Sequence, residues 1–391
     1  MTNLPQGWEV KKLGEIGEIV TGSTPSKSNL DFYGKDYPFF KPSDFEQGYF
    51  LENAGDNLSK LGFGKARQLP PKTILVVCIG SLGKVALTRV IGSCNQQINA
   101  IIPHKNIISE YIYYYCISSK FQSILFSKAP QTTLAIFNKT EFSKLEIIYP
   151  KDIKEQERIV GILDFAFSKI DENIKKAKEN LANIDELMQS ALQKAFNPLK
   201  DNAKENYKLP QSWEWKSLEE ISENISAGGD KPKNCTESKT AKNQIPVYAN
   251  GVNNNGLVGY TDKATIIKPS LTISARGTIG FVCIRKEPYF PIVRLISLIP
   301  CENILCLHYL YFCLNFFIAK GEGSSIPQLT IPKFKSLQIP LPPLKEQEQI
   351  AEHLDFVFEK AKALKELYTK ELKDYEELKQ SLLNKAFKGE L

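Results

Sequence analysis

Cysteine and histidine side chains that could bind zinc lie close together in the last third of the sequence. Cys301, Cys306, His308 and Cys313 all fall within one apolar run, CENILCLHYLYFCLNFF. None of the eight cysteines belongs to a C-x-x-C pair, which is the usual spacing of a zinc site. The spacing within the run is that of a helix, which makes a metal site the less favoured alternative. We therefore predict buried, reduced thiols.

Other motifs for covalent chemistry are incomplete or missing. The turn Gly80-Ser81-Leu82-Gly83-Lys84 is followed by Val85 and lacks the earlier glycine of a phosphate-binding loop. The sequence also lacks a dinucleotide-binding G-x-G-x-x-G, the motifs H-E-x-x-H and G-x-S-x-G, and a kinase signature. It contains no Asn-Pro-Pro-Tyr or Asp-Pro-Pro-Tyr, with which amino-methyltransferases grip adenine. We predict that this chain is not an enzyme, although scattered acids and lysines leave a nuclease cluster open.

Composition limits the class of protein. The 391 residues are 42% hydrophobic and 24% charged, as in soluble globular proteins, and are enough for two domains. There is no apolar stretch long enough for a transmembrane helix and no signal-peptide pattern, so we expect a cytoplasmic protein. The net charge of +6 permits nucleic-acid binding, but it also fits an ordinary, slightly basic enzyme.

An internal repeat is the strongest signal in the sequence. LPQGWEVKKLGEIGEI from Leu4 matches LPQSWEWKSLEEISEN from Leu209, and KEQERIVGILDFAFSK from Lys154 matches KEQEQIAEHLDFVFEK from Lys345. Between these strings the match is fainter: GSLG at Gly80 aligns with GTIG at Gly277, and INAIIP aligns with LISLIP. The chain is therefore a duplicated unit in the order globule, helix, globule, helix.

Each repeat ends in a long helix with a heptad pattern. Pro150 precedes the first helix and Asn197-Pro198 ends it, and Pro342-Pro343 precedes the second. Each has roughly 42 residues, or about 60 Å at 1.5 Å per residue. Apolar residues recur at heptad spacing over about five heptads of the first helix. They are Val160, Phe167, Ile174, Leu181, Met188 and Ala195, with Leu163, Ile170, Ala177, Ile184 and Ala191 in the second set.

The second helix carries a similar stripe, and a stripe of this length cannot be buried on a small globule. Its members are Leu354, Phe358, Ala361, Leu364, Tyr368, Leu372, Tyr375, Leu378, Leu382 and Ala386. We therefore expect the two helices to pack antiparallel, with one globule at each end and a pseudo-twofold relation. The segments Ile74–Gly92 and Leu271–Lys286 are β-rich, whereas Glu110–Phe126 and Leu305–Lys320 favour helix. Each globule is thus α+β, with a curved, mostly antiparallel sheet.

The sequence resembles the specificity subunits of Type I restriction–modification enzymes over nearly its full length. The resemblance is carried by an ordered, duplicated set of short strings. They are the P-x-x-W openings with Pro5, Trp8 and Leu13, and with Pro210, Trp213 and Leu218; GSTPSKSN (22–29); NQQINAIIP (95–103); DIKEQERIV (152–160); IPQLT (326–330); and IPLPPLKEQEQI (339–350). One departure is that NQQINAIIP has no literal counterpart in the second half, which reads PIVRLISLIP.

The resemblance implies two target-recognition domains, each reading one half of a bipartite, asymmetric site on double-stranded DNA. It implies domain boundaries at 1–150 and 199–338, with a central spacer helix at 151–198 and a distal one at 339–391. The helices would dock two methyltransferase subunits and set the gap between the half-sites. S-adenosylmethionine would then belong to those subunits, and ATP and Mg²⁺ to restriction and motor subunits, with no cofactor on this chain.

Base reading needs side chains with paired donors and acceptors, such as Arg for guanine and Asn or Gln for adenine. Gln96 and Gln97, if on a strand, would face opposite ways, so we expect one of them at most to read a base. Arg294 aligns with Gln97 at the same offset as Gly277 with Gly80. The candidates for DNA contact are Ser23, Thr24, Lys27, Lys41, Lys84, Arg89, Asn95, Gln96, Gln97, Lys231, Lys233, Asn250, Asn253, Asn254, Arg276 and Arg294.

Two alternatives compete with these interpretations. Asn and Gly in loops usually serve turn formation, so each candidate could be purely structural. For the whole chain, the alternative is a coiled-coil scaffold with two heads that bind protein or carbohydrate. That scaffold explains the helices equally well, but not the two similar, divergent globules or the family strings.

Overall fold

The computed structural model describes residues 4–128, 136–196, 209–318, 321–322 and 329–391. The chain divides into two compact units: unit 1 is Met1–Ala177 with Lys370–Leu391, and unit 2 is Lys178–Thr369. Each unit therefore combines one globular part with segments of both long helices. The predicted helix end at Asn197-Pro198 and the first three residues of IPQLT lie outside the described residues. The domain boundaries proposed from the sequence stay a prediction.

The globular part of unit 1 alternates short strands with short helices. Its strands are β1 (Trp8–Lys12), β2 (Gly17–Thr21), β3 (Tyr33–Phe40), β4 (Phe50–Leu51), β5 (Asp56–Leu58), β6 (Ile74–Val77), β7 (Val85–Thr88), β8 (Ser93–Cys94), β9 (Ile98–Pro103) and β10 (Glu146–Pro150). Its helices are α1 (Leu13–Ile16), α2 (Lys60–Lys65), α3 (Ser109–Ile117), α4 (Ser119–Lys128) and α5 (Lys139–Ser143), with 3₁₀ turns at Leu30–Phe32 and Pro42–Gln47.

A five-stranded sheet in the order β2-β9-β6-β7-β4 forms the centre of unit 1. All of its pairings are antiparallel except β4 with β7. Ile74 and Val76 of β6 face one hydrophobic cluster, and Leu75 and Val77 face another. The uninterrupted apolar run of β6 is explained by this burial on both faces.

Unit 2 repeats this plan with different lengths. Its strands are β11 (Glu214–Ser217), β12 (Ser222–Ala227), β13 (Ile245–Tyr248), β14 (Leu257–Thr261), β15 (Ser270–Ile273), β16 (Thr278–Ile279), β17 (Val282–Arg285), β18 (Phe290–Pro291), β19 (Ile296–Pro300), β20 (Gly321–Glu322) and β21 (Gln338–Leu341). The sheet β12-β19-β15-β17 is wholly antiparallel and corresponds to β2-β9-β6-β7 of unit 1. The shorter helical elements are a 3₁₀ turn at Asn253–Gly256, α7 (Leu307–Phe317) and α8 (Ile331–Lys335). The prediction of α+β globules with β-rich cores is confirmed.

The first long helix follows α5 and β10, and the second follows β21. They are α6 (Ile153–Phe196), with 44 residues, and α9 (Leu344–Ala386), with 43 residues. Within unit 1, Lys379 pairs with Asp171 at 2.5 Å, and Arg158 donates to the carbonyl of Leu391. A residue earlier in α6 therefore contacts a residue later in the C-terminal segment, so the two segments run antiparallel. Within unit 2, Lys365 pairs with Asp185 and Tyr368 accepts from Asn180 at 3.0 Å, which gives the same direction.

Burial along the helices follows the predicted heptad stripe, with two departures. Leu163 and Ile170 in unit 1 and Leu354 in unit 2 are almost fully buried. Leu364 and Leu378, which the pattern placed in the seam, are instead 43% and 46% exposed. Because a straight α-helix drifts by roughly 20° per heptad relative to a 3.5-residue repeat, some seam positions turn away from the partner segment.

A buried glutamine joins each long helix to its own globular part. In unit 1, Gln156 accepts a hydrogen bond from the N–H of Ile108 at 2.9 Å and donates to the carbonyls of Pro150 and Asn106 at 2.9 and 3.3 Å. The Ile108 amide precedes α3, so the side chain satisfies a group at a helix start. The glutamine of the K-E-Q-E string is therefore a structural connection.

Unit 2 contains the same connection. Gln347 is fully buried, accepts from the N–H of Cys306 at 2.9 Å, and donates to the carbonyls of Ile304 and Pro342 at 2.9 and 2.8 Å. Cys306 precedes α7, as Ile108 precedes α3. The repeat found in the sequence is thus a repeat of hydrogen-bonding pattern as well.

All eight cysteines have free thiols in the structure. Cys313 is fully buried in α7, and burial raises the pKa of its thiol, whereas Cys301 and Cys306 are only half-buried. His308 lies 2.6 Å from a carboxylate oxygen of Asp355. Within the described part of the chain, no group of three or more His, Cys, Asp or Glu side chains could hold a metal ion. In the same part, no helix combines the length and apolarity needed to cross a bilayer.

Candidate nucleic-acid interface

In unit 1 the loop after β2 lies directly against the turn between β8 and β9. The N–H of Gly22 donates to the carbonyl of Ile98, and that of Ser23 donates to the carbonyl of Cys94, both at 3.0 Å. A β-carbon on Gly22 would lie only 2.1 Å from the carbonyl oxygen of Asn95. Glycine is therefore required here for the loop and the turn to approach each other.

Side chains of the same loop and turn also contact each other. The Thr24 hydroxyl donates to the side-chain oxygen of Gln96 at 2.5 Å, and the Ser23 hydroxyl accepts from the N–H of Arg67 at 3.2 Å. Gln96 is exposed. Thr24 and Gln96 thus form one polar surface of the kind that can present donors and acceptors to a base edge.

Asn95 and Gln97 are turned towards the protein. Asn95 is only 8% exposed, its amide nitrogen donates to the Gln97 side chain at 2.8 Å, and its oxygen accepts from the Gln97 N–H at 3.1 Å. Gln97 also donates to the carbonyl of Ile79 at 3.4 Å, next to Gly80. The assumption that Gln96 and Gln97 lie on a strand is wrong, because β9 begins at Ile98; hydrogen bonding in the turn, not strand alternation, sets their directions.

The basic candidates of unit 1 have acidic neighbours. Lys84 pairs with Glu46 at 2.5 Å, and a hydrogen bond from Lys84 lowers the pKa of Glu46. Arg89 pairs with Glu52 at 2.8 Å, and its guanidinium lies 3.7 Å from the centre of a phenylalanine ring.

Lys84 and Arg89 also line a cavity of 910 Å³, together with Asp164 and Asp171. Lys41 pairs with Asp56, and Lys27 is exposed in the loop after β2. Contact of these four basic residues with DNA stays a prediction.

Unit 2 brings its candidate loops together through Asn250. The side-chain oxygen of Asn250 accepts from the N–H of Ala275 at 2.8 Å, and its nitrogen donates to the carbonyl of Val293 at 2.7 Å. Arg276 follows Ala275 and Arg294 follows Val293, and both arginines are exposed. One asparagine therefore holds the two arginine-bearing turns beside its own loop.

The turn that carries Arg294 has an unusual backbone. Val293 and Arg294 have φ values of 54° and 60°, in the left-handed region that normally takes Gly, Asn or Asp. For an L-residue this region costs roughly 1–2 kcal/mol. The turn is held by hydrogen bonds from the N–H groups of Val293 and Arg294 to the carbonyls of Gly229 and Gly228, at 2.8 and 2.9 Å.

The remaining candidates of unit 2 surround these turns. Asn253 and Asn254 are exposed in the 3₁₀ turn, where Asn254 has a φ of 48°. Lys231 and Lys233 are exposed in the loop after β12, which begins at Gly228. The structure thus places loops after β12, β13, β15 and β18 beside one another. In unit 1, the loops after β2, β6 and β8 make the corresponding arrangement.

A family model for the Type I restriction modification DNA specificity domain matches residues 5–183 and 210–373. The chain belongs to this family. Because the model matches twice, the protein carries two specificity domains, and these matches account for most of its length.

Characterised relatives agree with the assignment of two specificity domains. The chain is 24% identical over 392 residues to the Type I restriction enzyme MjaIX specificity subunit of Methanocaldococcus jannaschii, covering 91% of this chain and 88% of that protein. It is 38% identical over 176 residues to the HindI specificity subunit of Haemophilus influenzae, covering 44% of this chain and 38% of that protein. The second similarity therefore spans much less than two thirds of the relative.

Solved structures show the same fold. One, from work on complex assembly and conformational transition of the type I R-M system, superposes with a TM-score of 0.82 at 19% identity and full coverage of both chains. The HsdS subunit from Thermoanaerobacter tengcongensis superposes with a TM-score of 0.58 at 20% identity, covering 100% of this chain and 98% of that one. The whole specificity-domain fold is shared.

Sequence reasoning missed one residue of the second specificity domain, Arg285. It is only 8% exposed, donates to the Thr272 hydroxyl at 3.0 Å and to the carbonyl of Asn255 at 2.5 Å, and lies 3.5 Å from the centre of the Tyr248 ring. No carboxylate in the described part of the chain forms an ion pair with it. Burial raises the pKa of Cys283, and the Arg285 charge opposes this shift.

Arg285 thus places an uncompensated positive charge beneath the asparagine loop. A buried cation without a carboxylate partner is uncommon unless hydrogen bonds or a ligand satisfy it. The signal in the sequence was an arginine at the end of the otherwise apolar strand string VCIR.

Proposed function

We propose that this chain recognises DNA sequence for a Type I restriction–modification complex, with each globular part reading one half of a bipartite, asymmetric site. The observation that carries the proposal is the recurrence of one loop arrangement in both units. In unit 1, Gly22 follows β2 and packs against the turn before β9. In unit 2, Gly228 follows β12 and packs against the turn before β19. A glycine-containing turn beginning near Gly80 or Gly277 lies beside it.

The side chains on this common framework differ between the units. Unit 1 presents the exposed Gln96, whose amide suits an adenine edge, beside the half-buried Thr24. Unit 2 exposes Arg276 and Arg294, whose guanidinium groups suit guanine, above the buried charge of Arg285. Because the reading groups differ, the two half-sites should have different sequences.

The helices would dock the methyltransferase subunits. Phe165 and Phe356 occupy equivalent positions in the repeated L-D-F-x-F string, and they are 70% and 60% exposed. An exposed phenylalanine at the same place in each repeat favours two equivalent contacts with two copies of one partner. Restriction subunits would join the same complex.

The covalent chemistry would then lie outside this chain. The methyltransferase subunits would bring S-adenosylmethionine, and the restriction and motor subunits ATP and Mg²⁺, while this chain would supply recognition without a cofactor of its own. Such a complex acts on DNA in the cytoplasm, which is where we place the protein.

Co-expression with the methyltransferase gene of its own locus, followed by mapping of methylated adenines, tests the proposal. We expect the chain to co-purify with methyltransferase subunits and the complex to methylate one bipartite sequence with two unlike halves. Co-purification without sequence-specific methylation, or methylation at sites unaffected by substitutions in the loops of either unit, would contradict it and favour a scaffold.

A further inference from the structure

The strained turn of unit 2 carries an apolar side chain that packing does not explain. Val293 has a φ of 54°, yet its side chain is 52% exposed. A β-branched residue at positive φ is a genuine outlier, because its branched carbon crowds the backbone. A buried valine could offset such strain by filling the core, but an exposed one cannot.

The surrounding hydrogen bonds fix this conformation through backbone groups of the turn, without using the Val293 side chain. The N–H groups of Ile292, Val293, Arg294 and Leu295 all donate to carbonyls, and the carbonyl of Val293 accepts from Asn250. Glycine or asparagine at position 293 would keep each of these bonds with less strain. The valine side chain is therefore dispensable for the turn itself, and strained residues of this kind cluster at functional sites.

The position of Val293 indicates what it contacts. Val293 aligns with Gln96 of unit 1, the exposed glutamine of the corresponding turn. It is followed by Arg294, and Asn250 links its carbonyl to the turn that carries Arg276. Val293 is thus an exposed apolar side chain among side chains that can donate hydrogen bonds to the major-groove edges of bases.

We propose that Val293 contacts the 5-methyl group of a thymine in the half-site read by unit 2. This inference rests on the proposed function. Thymine is the only standard base that presents a methyl group in the major groove of B-DNA, and small apolar side chains are its usual partners. Unit 1, with Gln96 at the equivalent position, would use a polar contact instead.

Deoxyuridine substitution tests the contact, because it removes only the methyl group of thymine. The full complex with its methyltransferase subunits is titrated with duplexes in which each thymine of the mapped site, on either strand, is replaced in turn. We expect one position at which binding weakens about fourfold, the effect of losing one buried methyl-sized group. In Val293→Gly that position should become insensitive, while the response to base changes elsewhere stays unchanged.

Val258→Gly is the matched control, because Val258 is a 41% exposed valine of the same unit outside these loops. It should keep the deoxyuridine response of the unaltered chain. Thermal unfolding should show Val293→Gly to be no less stable, since the backbone bonds of the turn remain. This separates loss of the contact from loss of the fold.

A half-site without thymine, a site at which no deoxyuridine weakens binding, or an undiminished response in Val293→Gly would each overturn the inference. These results would leave sequence-specific recognition by the complex intact. Binding of the unaltered complex that does not depend on sequence at all would instead overturn the proposed function, and with it this contact.

Discussion

Replacing Gln347 by leucine should detach the start of α9 from the globular part of unit 2. Leucine has nearly the same volume but cannot hydrogen bond, so the N–H of Cys306 and the carbonyls of Ile304 and Pro342 lose their buried partner. Three unsatisfied backbone groups at roughly 1–3 kcal/mol each give a loss of at least about 3 kcal/mol in the free energy of unfolding. That is a large share of the stability of a typical domain.

Urea unfolding followed by tryptophan fluorescence measures this loss. Trp213 donates to Glu346, the residue before Gln347, at 3.0 Å, so its emission reports on this junction. A Trp8→Phe background removes the tryptophan of unit 1. With a urea dependence of roughly 1–3 kcal/mol per molar, the midpoint of the unit 2 transition should fall by at least about 1 M.

Gln349→Leu is the control, because Gln349 is exposed two residues further along the same helix. It makes the same chemical change and should leave the midpoint within about 0.5 M, since surface substitutions usually change stability by under 0.5 kcal/mol. Equal midpoints for Gln347→Leu and Gln349→Leu would refute the argument that the buried glutamine connects helix and globule.

Further predictions concern recognition, assembly and burial. Arg276→Ala should weaken binding by about 1–3 kcal/mol and relax specificity in one half-site only; uniform weakening on all sequences in a titration would make it a phosphate contact. Phe165→Ser and Phe356→Ser should each reduce the number of methyltransferase subunits bound from two to one, as measured by native mass spectrometry, and undiminished stoichiometry would count against these contacts. Burial raises the pKa of Cys78 and Cys94 to about 12, so their thiolates are scarce at pH 8. A thiol reagent should label both only after denaturation, and rapid labelling of the folded protein would show that this core is open.

The helices and the repeat could be predicted because their signals are long and local. A heptad stripe over about five heptads that begins just after a proline specifies a helix almost regardless of its surroundings. The exposure of Leu364 and Leu378 could not be predicted in the same way. The exposure of these two leucines depends on where the partner segment lies, and the sequence of one helix does not give that position.

The candidate site could be predicted only where residue type and local geometry agree. Gly80 and Gly83 mark a turn in the sequence, and both have the positive φ of a glycine turn in the structure. The ion pairs of Lys84 with Glu46 and Arg89 with Glu52 join residues 38 and 37 positions apart, so no local pattern reveals them. Arg285 was missed for a related reason, since its burial follows from the loop folded above it.

The turn at Val293 shows tertiary structure overriding local preference. PIVRLISLIP reads as one continuous strand, because valine and isoleucine favour extended backbone. The structure instead breaks it between β18 and β19, where hydrogen bonds to Gly228 and Gly229 impose positive φ on two residues. The preference for extended backbone predicts Pro291 and Ile296–Pro300 correctly, because these residues lie in strands. It fails for Val293 and Arg294, which have positive φ.

The uneven strength of the repeat follows from which groups hold each part together. Gln156 and Gln347 connect helix and globule through side-chain atoms, so a change at either position removes the connection. The candidate loops are held mainly by backbone groups, as between Gly22 and Ile98 and between Gly228 and Leu295. Backbone bonds tolerate almost any exposed side chain, so the framework can stay constant while the surface diverges. This explains why the repeat is strong in the helices and faint in the loops, and it would let two similar domains carry the different specificities that we propose.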